Sequence, residues 1–492
     1  MDKSASDKLL EAAVRSNNIA AHHISSFEYF IEKGLQKIVE SESVIEPVIK
    51  PAGVNEFIIK LGKITVGKPD ILEADSILRP ITPMEARIRD LTYDAPMMLT
   101  VSYLADKKQV AEEEVFIGRI PIVVKSKFCN LSGLSKEELT KLKEDPNDPG
   151  GYFIINGTER IIITTEDLAP NNLLISKENQ EGFLYSVKIF ADADNIKVPH
   201  AIQLSNSNLL YITFGKLKKV PLVILLKALG FTNENELIKS IAKGDEDAEN
   251  TVDINLVAFD VNSEKDALDY IGKSLHSVHS VETAEINIDA LLFPFLGRDK
   301  ESRRIKGEYL MYVVSRLLSY AATKREVDKD HYSNKRLHAE NYNLDMLFRF
   351  VLKQVLNDAK YNFERGIKKD RIPSPKYIFT SDQLTSRLRS SLATGQWVGG
   401  RVGITQHLDR RSFPSTVSHL RKVESLLTSN RENYRARDLH GTHFGRFCAV
   451  ETPEGPKIGL TKNIALLAKI SVEDVDINEI ISKLKDYGVK KI

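Results

Sequence analysis

Between Phe153 and Ile162 the chain reads FIINGTERII, an Asn-Gly pair set between two apolar, β-branched runs. Asn-Gly tolerates the two left-handed residues at the centre of a two-residue hairpin turn, so the segment predicts a tight hairpin, with Pro149, Gly150 and Gly151 breaking the chain before it. Upstream, FIIKLGKITV, PMMLTVSYLAD and VFIGRIPIVVKS predict further strands between Asn55 and Val124. Helical spacing from Ser6 to Glu40 predicts an amphipathic opening helix. In NYNLDMLFRFVLKQVLNDAKYNFERGI the residues Leu344, Leu347, Phe348, Val351, Leu352 and Val355 recur at helical spacing and predict a long core helix. From about Gln180 to Lys329 the composition turns acidic and mixes both patterns, which predicts a separate α+β domain.

At 492 residues the chain is too long for one hydrophobic core, and its length suggests roughly three to four domains. Its 42% hydrophobic and 28% charged residues are those of a folded globular protein. Cys129 and Cys448 cannot build a disulfide framework, and the N-terminus has no apolar signal core, which together fit a reducing cytoplasm. The apolar run from Val220 to Phe231 is too short to cross a bilayer.

Familiar enzyme motifs are missing: no phosphate-binding G-x-x-x-x-G-K-[ST] loop and no H-E-x-x-H occur. His440, His443 and Cys448 lack a fourth ligand at useful spacing, and Asp145 and Asp148 sit among prolines where turn chemistry accounts for them. Metal ligation is therefore not expected, and no clustered carboxylates suited to two-metal chemistry are evident.

The informative stretch is Trp397 to Arg446. Nine arginines and lysines stand there against four carboxylates, a local charge of +5 in a chain whose total is +1. Clustered cations bind phosphate backbones because each neutralised phosphate releases condensed counterions, although a solvated face or a subunit contact would have the same composition. Within it, PSTVSHLRKV predicts a short helix with Val417, Leu420 and Val423 on one side. Ser418, His419 and Lys422 then fall on the other side, with Arg421 at the margin. ESLLTSNRENYRARD predicts an exposed loop, and Thr452 to Gly455 a tight turn.

Leu392–Val423 and Arg437–Leu466, which carry TGQWVGGRVGITQHLDRRSFPSTVSHLRKV and RDLHGTHFGRFCAVETPEGPKIGLTKNIAL, resemble the fork region of the second-largest subunit of multisubunit DNA-dependent RNA polymerases. ITPMEARIRDLTYDAP, FIGRIPIVVKSKFCNLSG and DPGGYFIINGTERIII resemble that family's protrusion, and DHYSNKR its return from the lobe. The wording is nearest to archaeal and eukaryotic forms. The resemblance implies an α+β multidomain fold: an N-terminal segment 1–19, a protrusion in two parts (20–175 and 330–388), an inserted lobe (176–329), a fork (389–465) and, from 466 to 492, the start of an external region that forms an interface with the C-terminal half.

By carry-over, Gln406, Arg421 and Lys422 match positions facing the RNA–DNA hybrid. Arg437 lies at the end of a loop near the point of strand separation, and Glu454 matches an acid near the active centre. The resemblance implies no catalytic residue, metal ligand or cofactor in this chain, with Mg2+ held through other subunits. Its implied partners are the C-terminal half of the same subunit, the largest subunit, the other polymerase subunits, the DNA template, the RNA–DNA hybrid and general initiation factors. Ala449 stands where the family often has proline, and the short Val398–Gly400 turn implies a reduced first fork loop. The chain stops at Ile492, soon after the fork, so a subunit naturally divided into two chains is expected, with an expressed fragment as the alternative.

Overall fold

The computed structural model describes residues 4, 7–8, 18–178, 182–193, 196–259, 261, 263–275, 279–323, 327–369, 371–427, 434–472 and 477–489. The chain divides into two compact units, one formed by Met1–Asp167 with Leu337–Ile492 and the other by Leu168–Arg336.

In the first unit, helix α1 (Ala21–Tyr29) runs through a π-wound turn, Phe30–Gly34, into α2 (Leu35–Ser41). Part of the opening helix expected from Ser6 lies outside the described residues. Strands β1 (Val44–Ile45), β2 (Phe57–Val66), β5 (Asp94–Ala105) and β6 (Lys108–Pro121) form an antiparallel sheet in the order β1-β2-β5-β6, beside a small ribbon of β3 (Asp70–Leu72) and β4 (Leu78–Pro80). β7 (Phe153–Ile155) and β8 (Thr158–Ile162) make the expected hairpin. Asn156 and Gly157 sit at φ +47° and +72°, both in the left-handed region that Asn-Gly admits. A side chain on Gly157 would also strike Asp90. β9 (Thr164–Leu168) follows directly.

The second unit is built on an antiparallel sheet whose order follows the sequence: β10 (Leu174–Lys177), β11 (Phe183–Ala193), β12 (Ile196–Ser205), β13 (Leu210–Phe214) and β14 (Leu217–Pro221). Its helices include α3 (Arg303–Thr323), and Ile202, Ile212, Leu225, Ile271 and Leu317 are among its buried core residues. The acidic segment near Glu246 is a helix, Glu246–Ala258, capped by the Asp245 side chain.

The chain then forms β15 (Lys335–His338) and α4 (Glu340–Ile367), the long helix that periodicity predicts. Its Leu344, Leu347, Phe348, Val351, Leu352 and Val355 are all buried, in one core with Phe27, Phe30 and the β5 side chains. α5 (Pro375–Ile378) and α6 (Ser381–Thr394) precede a two-stranded ribbon of β16 (Gln396–Trp397) and β17 (Arg401–Val402). β18 (Thr405–His407) adds to the hairpin in the order β18-β8-β7. α7 (Phe413–Leu420), β19 (Lys422–Ser425), β20 (Thr461–Asn463) and α8 (Ile477–Asp486) complete the fold, with a sheet ordered β15-β9-β19-β20.

A local expectation is corrected here. The predicted helix ends at Leu420, so Lys422 and Val423 lie on β19, which pairs parallel with β9 and antiparallel with β20. Beyond β20, Ile464 forms a single antiparallel bridge with Phe447, in which Ala465 N donates to Arg446 O, and Ile464 O and Ala465 O accept from the Arg421 side chain. Among the described residues no helix is long and apolar enough to cross a membrane.

Candidate nucleic-acid interface

The site is assembled around α7. Ser412 and Ser415 close a capping box at its N-terminus, Pro414 occupies the first turn, and Asp409 gathers the approach. The Asp409 carboxylate accepts from Arg411 N at 3.0 Å and from Ser415 Oγ at 3.3 Å, while its carbonyl accepts from Thr416 Oγ1 at 2.7 Å. The neighbouring Arg410 is half-exposed and pins this loop to the hairpin. It donates to Glu159 at 2.6 Å and Asp148 at 2.7 Å, with its guanidinium 4.9 Å from the centre of the Tyr152 ring.

From Asp409 a hydrogen-bonded relay crosses the face of the site. Asp409 N donates to His419 Nδ1 at 3.1 Å, which fixes that nitrogen as an acceptor, and His419 Nε2 therefore donates to Gln406 Oε1 at 3.2 Å. Gln406 Nε2 donates in turn to Gly403 O at 3.1 Å and to Glu424 Oε1 at 3.2 Å. Glu424 receives Lys422 Nζ at 2.9 Å and Lys457 Nζ at 3.2 Å. Burial, and then the charge of Lys422, hold His419 down at about 4, so the imidazole is neutral near pH 7. Burial pushes the Glu424 carboxyl up, but the hydrogen bond and charge of Lys422, with Gln406 and Lys457, bring it below its ordinary value.

Gln406, Lys422 and Lys457 thus converge on one carboxylate, although Gln406 lies on β18, Lys422 on β19 and Lys457 in the turn before β20. A cavity of about 500 Å³ opens beside them, lined by Thr165, Gly400, Arg401, Glu424, Lys457 and Thr461 among others. The Thr165 hydroxyl is buried there with no hydrogen-bond partner among the described residues.

Arg421 does not sit at an exposed margin. Only 7% of it is exposed, and its guanidinium donates to Ile464 O at 3.2 Å and to Ala465 O. The helix stops one residue earlier, so the side chain turns inward to hold the strand that follows Thr461. Arg437 is partly exposed, but one of its nitrogens donates to Pro456 O at 2.7 Å and Ile458 O at 2.9 Å, fastening the turn that follows Glu454. Glu454 is exposed, and the hydrogen-bonded turn begins at Gly455 (φ +85°), whose carbonyl accepts from Ile458 N, rather than spanning Thr452 to Gly455 as predicted. Residues 428–433 of the predicted loop lie outside the described residues.

Sequence reasoning missed Lys457 and the roles of His419 and Glu424. The ordered acceptor–donor alternation His419, Gln406, Glu424 was not visible because its members are separated in the chain by 13 and 18 residues. Among the described residues no three His, Cys, Asp or Glu side chains are grouped to hold a metal ion.

A family profile described as RNA polymerase beta subunit matches residues 18–386, and a second, described as RNA polymerase Rpb2, domain 3, matches residues 406–470. The chain belongs to the RNA polymerase beta subunit family. It is 40% identical to the DNA-directed RNA polymerase subunit Rpo2N of Methanocaldococcus jannaschii, over 98% of this chain and 98% of that one. It is 37% identical to Rpo2N of Methanococcus vannielii, over 98% and 99%. Against subunit Rpo2 of Saccharolobus shibatae the identity is 38% over 98% of this chain but 43% of that longer protein. The match therefore covers less than half of that longer relative.

Proposed function

We propose that the chain is a subunit of a DNA-directed RNA polymerase, the N-terminal half of a divided second-largest subunit, that helps to hold DNA and the RNA–DNA hybrid near the active centre. The observation that carries this is the end-to-end match with Rpo2N subunits, which runs through both compact units and the relay around Glu424. In this reading Leu168–Arg336 is the lobe, the remainder of the first unit up to about 388 is the protrusion, and the relay lies in the fork.

Lys422, Lys457 and Gln406 form the face offered to nucleic acid. Lysines tethered to Glu424 on one side keep further N–H donors for phosphate oxygens, and such contacts carry no sequence information, as a transcribed template demands. Arg421 supports this face from within rather than touching the hybrid. Arg437 fastens the turn that follows Glu454, and the exposed Glu454 is available to the active centre. Phosphoryl transfer needs metal ions held by grouped carboxylates, and we assign the Mg2+ to other chains. The largest subunit, the C-terminal half and initiation factors are the expected partners, in the cytoplasm.

Reconstitution tests the reading. Enzyme assembled from the remaining subunits should lack template-dependent synthesis, and adding this chain should restore it. Equal synthesis without the chain would overturn the proposal.

A further inference from the structure

A second concentration of positive charge lies at the end of α4. Between Lys360 and Tyr377 six cations stand against two carboxylates, and this segment folds back on itself at the end of α4. Asn362 Nδ2 donates to Ile378 O at 3.0 Å, Arg371 N to Gly366 O at 3.2 Å, and Tyr103 OH to Pro373 O at 3.0 Å, so the returning segment is held against the end of α4 and against β5. Tyr361, Arg365 and Lys368 share the helix face opposite the buried Ala359 and Phe363. Lys369, Arg371 and Lys376 follow on the return.

Arg365, Lys368, Lys369, Arg371 and Lys376 are all exposed, and none makes an ion pair with a described residue. Two aromatic rings stand among them, Tyr361 at 65% and Tyr377 at 83% exposure. Cations at a helix C-terminus are favourable to its dipole, which accounts for Arg365 and Lys368. It does not account for Arg371 and Lys376 beyond the helix, nor for two uncovered tyrosines.

We propose that this end of α4 is a second nucleic-acid surface that takes single-stranded nucleic acid. Cations without an ion pair among the described residues are ready to neutralise phosphates, and uncovered rings offer faces on which unpaired bases stack, which a duplex does not present. The contact reads phosphate and base face, so DNA and RNA strands both fit. The inference adds a site to the proposed polymerase role and rests on that role only in supposing that such a strand is present in the assembled enzyme.

The test is binding of the full chain to a labelled single strand of DNA, the RNA of the same sequence, and the corresponding duplex, over a salt series. Lys368→Ser with Lys369→Ser and Arg371→Ser should shallow the log K against log salt slope for single strands by roughly two units, at about 0.7 per phosphate. Tyr361→Ser with Tyr377→Ser should weaken single strands at least about fivefold, leave the slope unchanged and spare the duplex. All five side chains are exposed, so both variants should melt as the wild type does. A Lys422→Ala, Lys457→Ala variant separates this site from the fork. Loss of binding in that variant with none in the others would overturn the inference and leave the fork assignment standing. Loss in the α4 variants supports the inference whether or not the Lys422, Lys457 variant also loses binding. Preference for duplex would overturn it, as would intact binding with failed subunit assembly, which would assign the patch to an acidic protein surface.

Discussion

Arg421 and Lys422 are adjacent in sequence and do different things, and the difference is one of desolvation. The guanidinium of Arg421 is buried against two backbone carbonyls, so Arg421→Ala takes the donor from the buried Ile464 O, at a cost of about 1–3 kcal/mol for a buried unsatisfied group, while Ala465 O still accepts from Ala468 N. Lys422→Ala removes a partly exposed ammonium and leaves the strand intact. The expected outcome is a lowered denaturant midpoint with little change in salt dependence for Arg421→Ala. For Lys422→Ala, elongation-complex lifetime should show a salt slope shallower by about one unit and a near-normal midpoint. Interchanged results would return Arg421 to the nucleic-acid face. His419 gives a second residue-level prediction. Its folded value of about 4 lies below its ordinary 6.5, so the unfolded chain binds the extra proton between those values. The stability it contributes is complete above pH 6.5 and is lost as pH falls toward 4. His22, His200 and His407 are depressed too, chiefly by burial, so the measurement is the difference between wild type and His419→Asn. The variant should lose less stability across that window, and parallel curves would show that His419 does not titrate with unfolding.

At the scale of elements, the sheet β15-β9-β19-β20 joins residues more than 250 positions apart, and one buried ion pair spans it. Lys462 Nζ on β20 lies 2.8 Å from Glu166 Oε2 on β9, with side chains 9% and 4% exposed. Breaking such a pair from one side strands a buried charge, so Glu166→Leu should cost about 3–5 kcal/mol, whereas replacing both partners with apolar residues should restore most of it. Denaturant midpoints for Glu166→Leu, Lys462→Met and the double variant decide this, and additive losses would show that the two side chains do not interact. The same sheet explains what could be read from the sequence. The β7–β8 hairpin and α4 were legible because Asn156-Gly157 and the spacing of Leu344 to Val355 are local signals. β19 was not, since Val423 falls at helical spacing from Val417 and Leu420, and only Thr164–Glu166 and Thr461–Asn463, distant in the chain, turn it into a strand. The position of Lys457 was hidden for the same reason. The stretch of positive charge was legible, but which of its arginines are internal depends on carbonyls that composition does not encode.

For the whole molecule, the question is how a chain with family membership but no grouped metal-binding carboxylates among its described residues takes part in synthesis. The purified chain should incorporate no nucleotide at any magnesium concentration, because a basic face stabilises bound strands without neutralising the charge that develops at the transferred phosphorus. Incorporation that survives removal of contaminating polymerase would refute this. The remaining chemistry has to come from association, and α8 is where the surface favours it. Every described side chain from Glu479 to Val489 is exposed, yet Ile480, Ile481 and Leu484 line up at helical spacing with 41%, 44% and 45% of their surface in water. A solitary ten-residue helix is marginal without a surface on which to lay its apolar side. The longer Saccharolobus relative carries more than half of its chain beyond the matched region, so the counterpart of that remainder is the expected cover. Removing the rest of each apolar side chain from water is worth about 1 kcal/mol, so Ile481→Asp with Leu484→Asp should weaken association with the C-terminal half by roughly thirtyfold or more. Because these side chains belong to neither buried core, the melting of the isolated chain should not change. Amides from Ile480 to Leu484 should exchange rapidly in the chain alone and slowly in the complex. Equal exchange in both states, with unaltered affinity of the double variant, would place the junction between the two halves elsewhere.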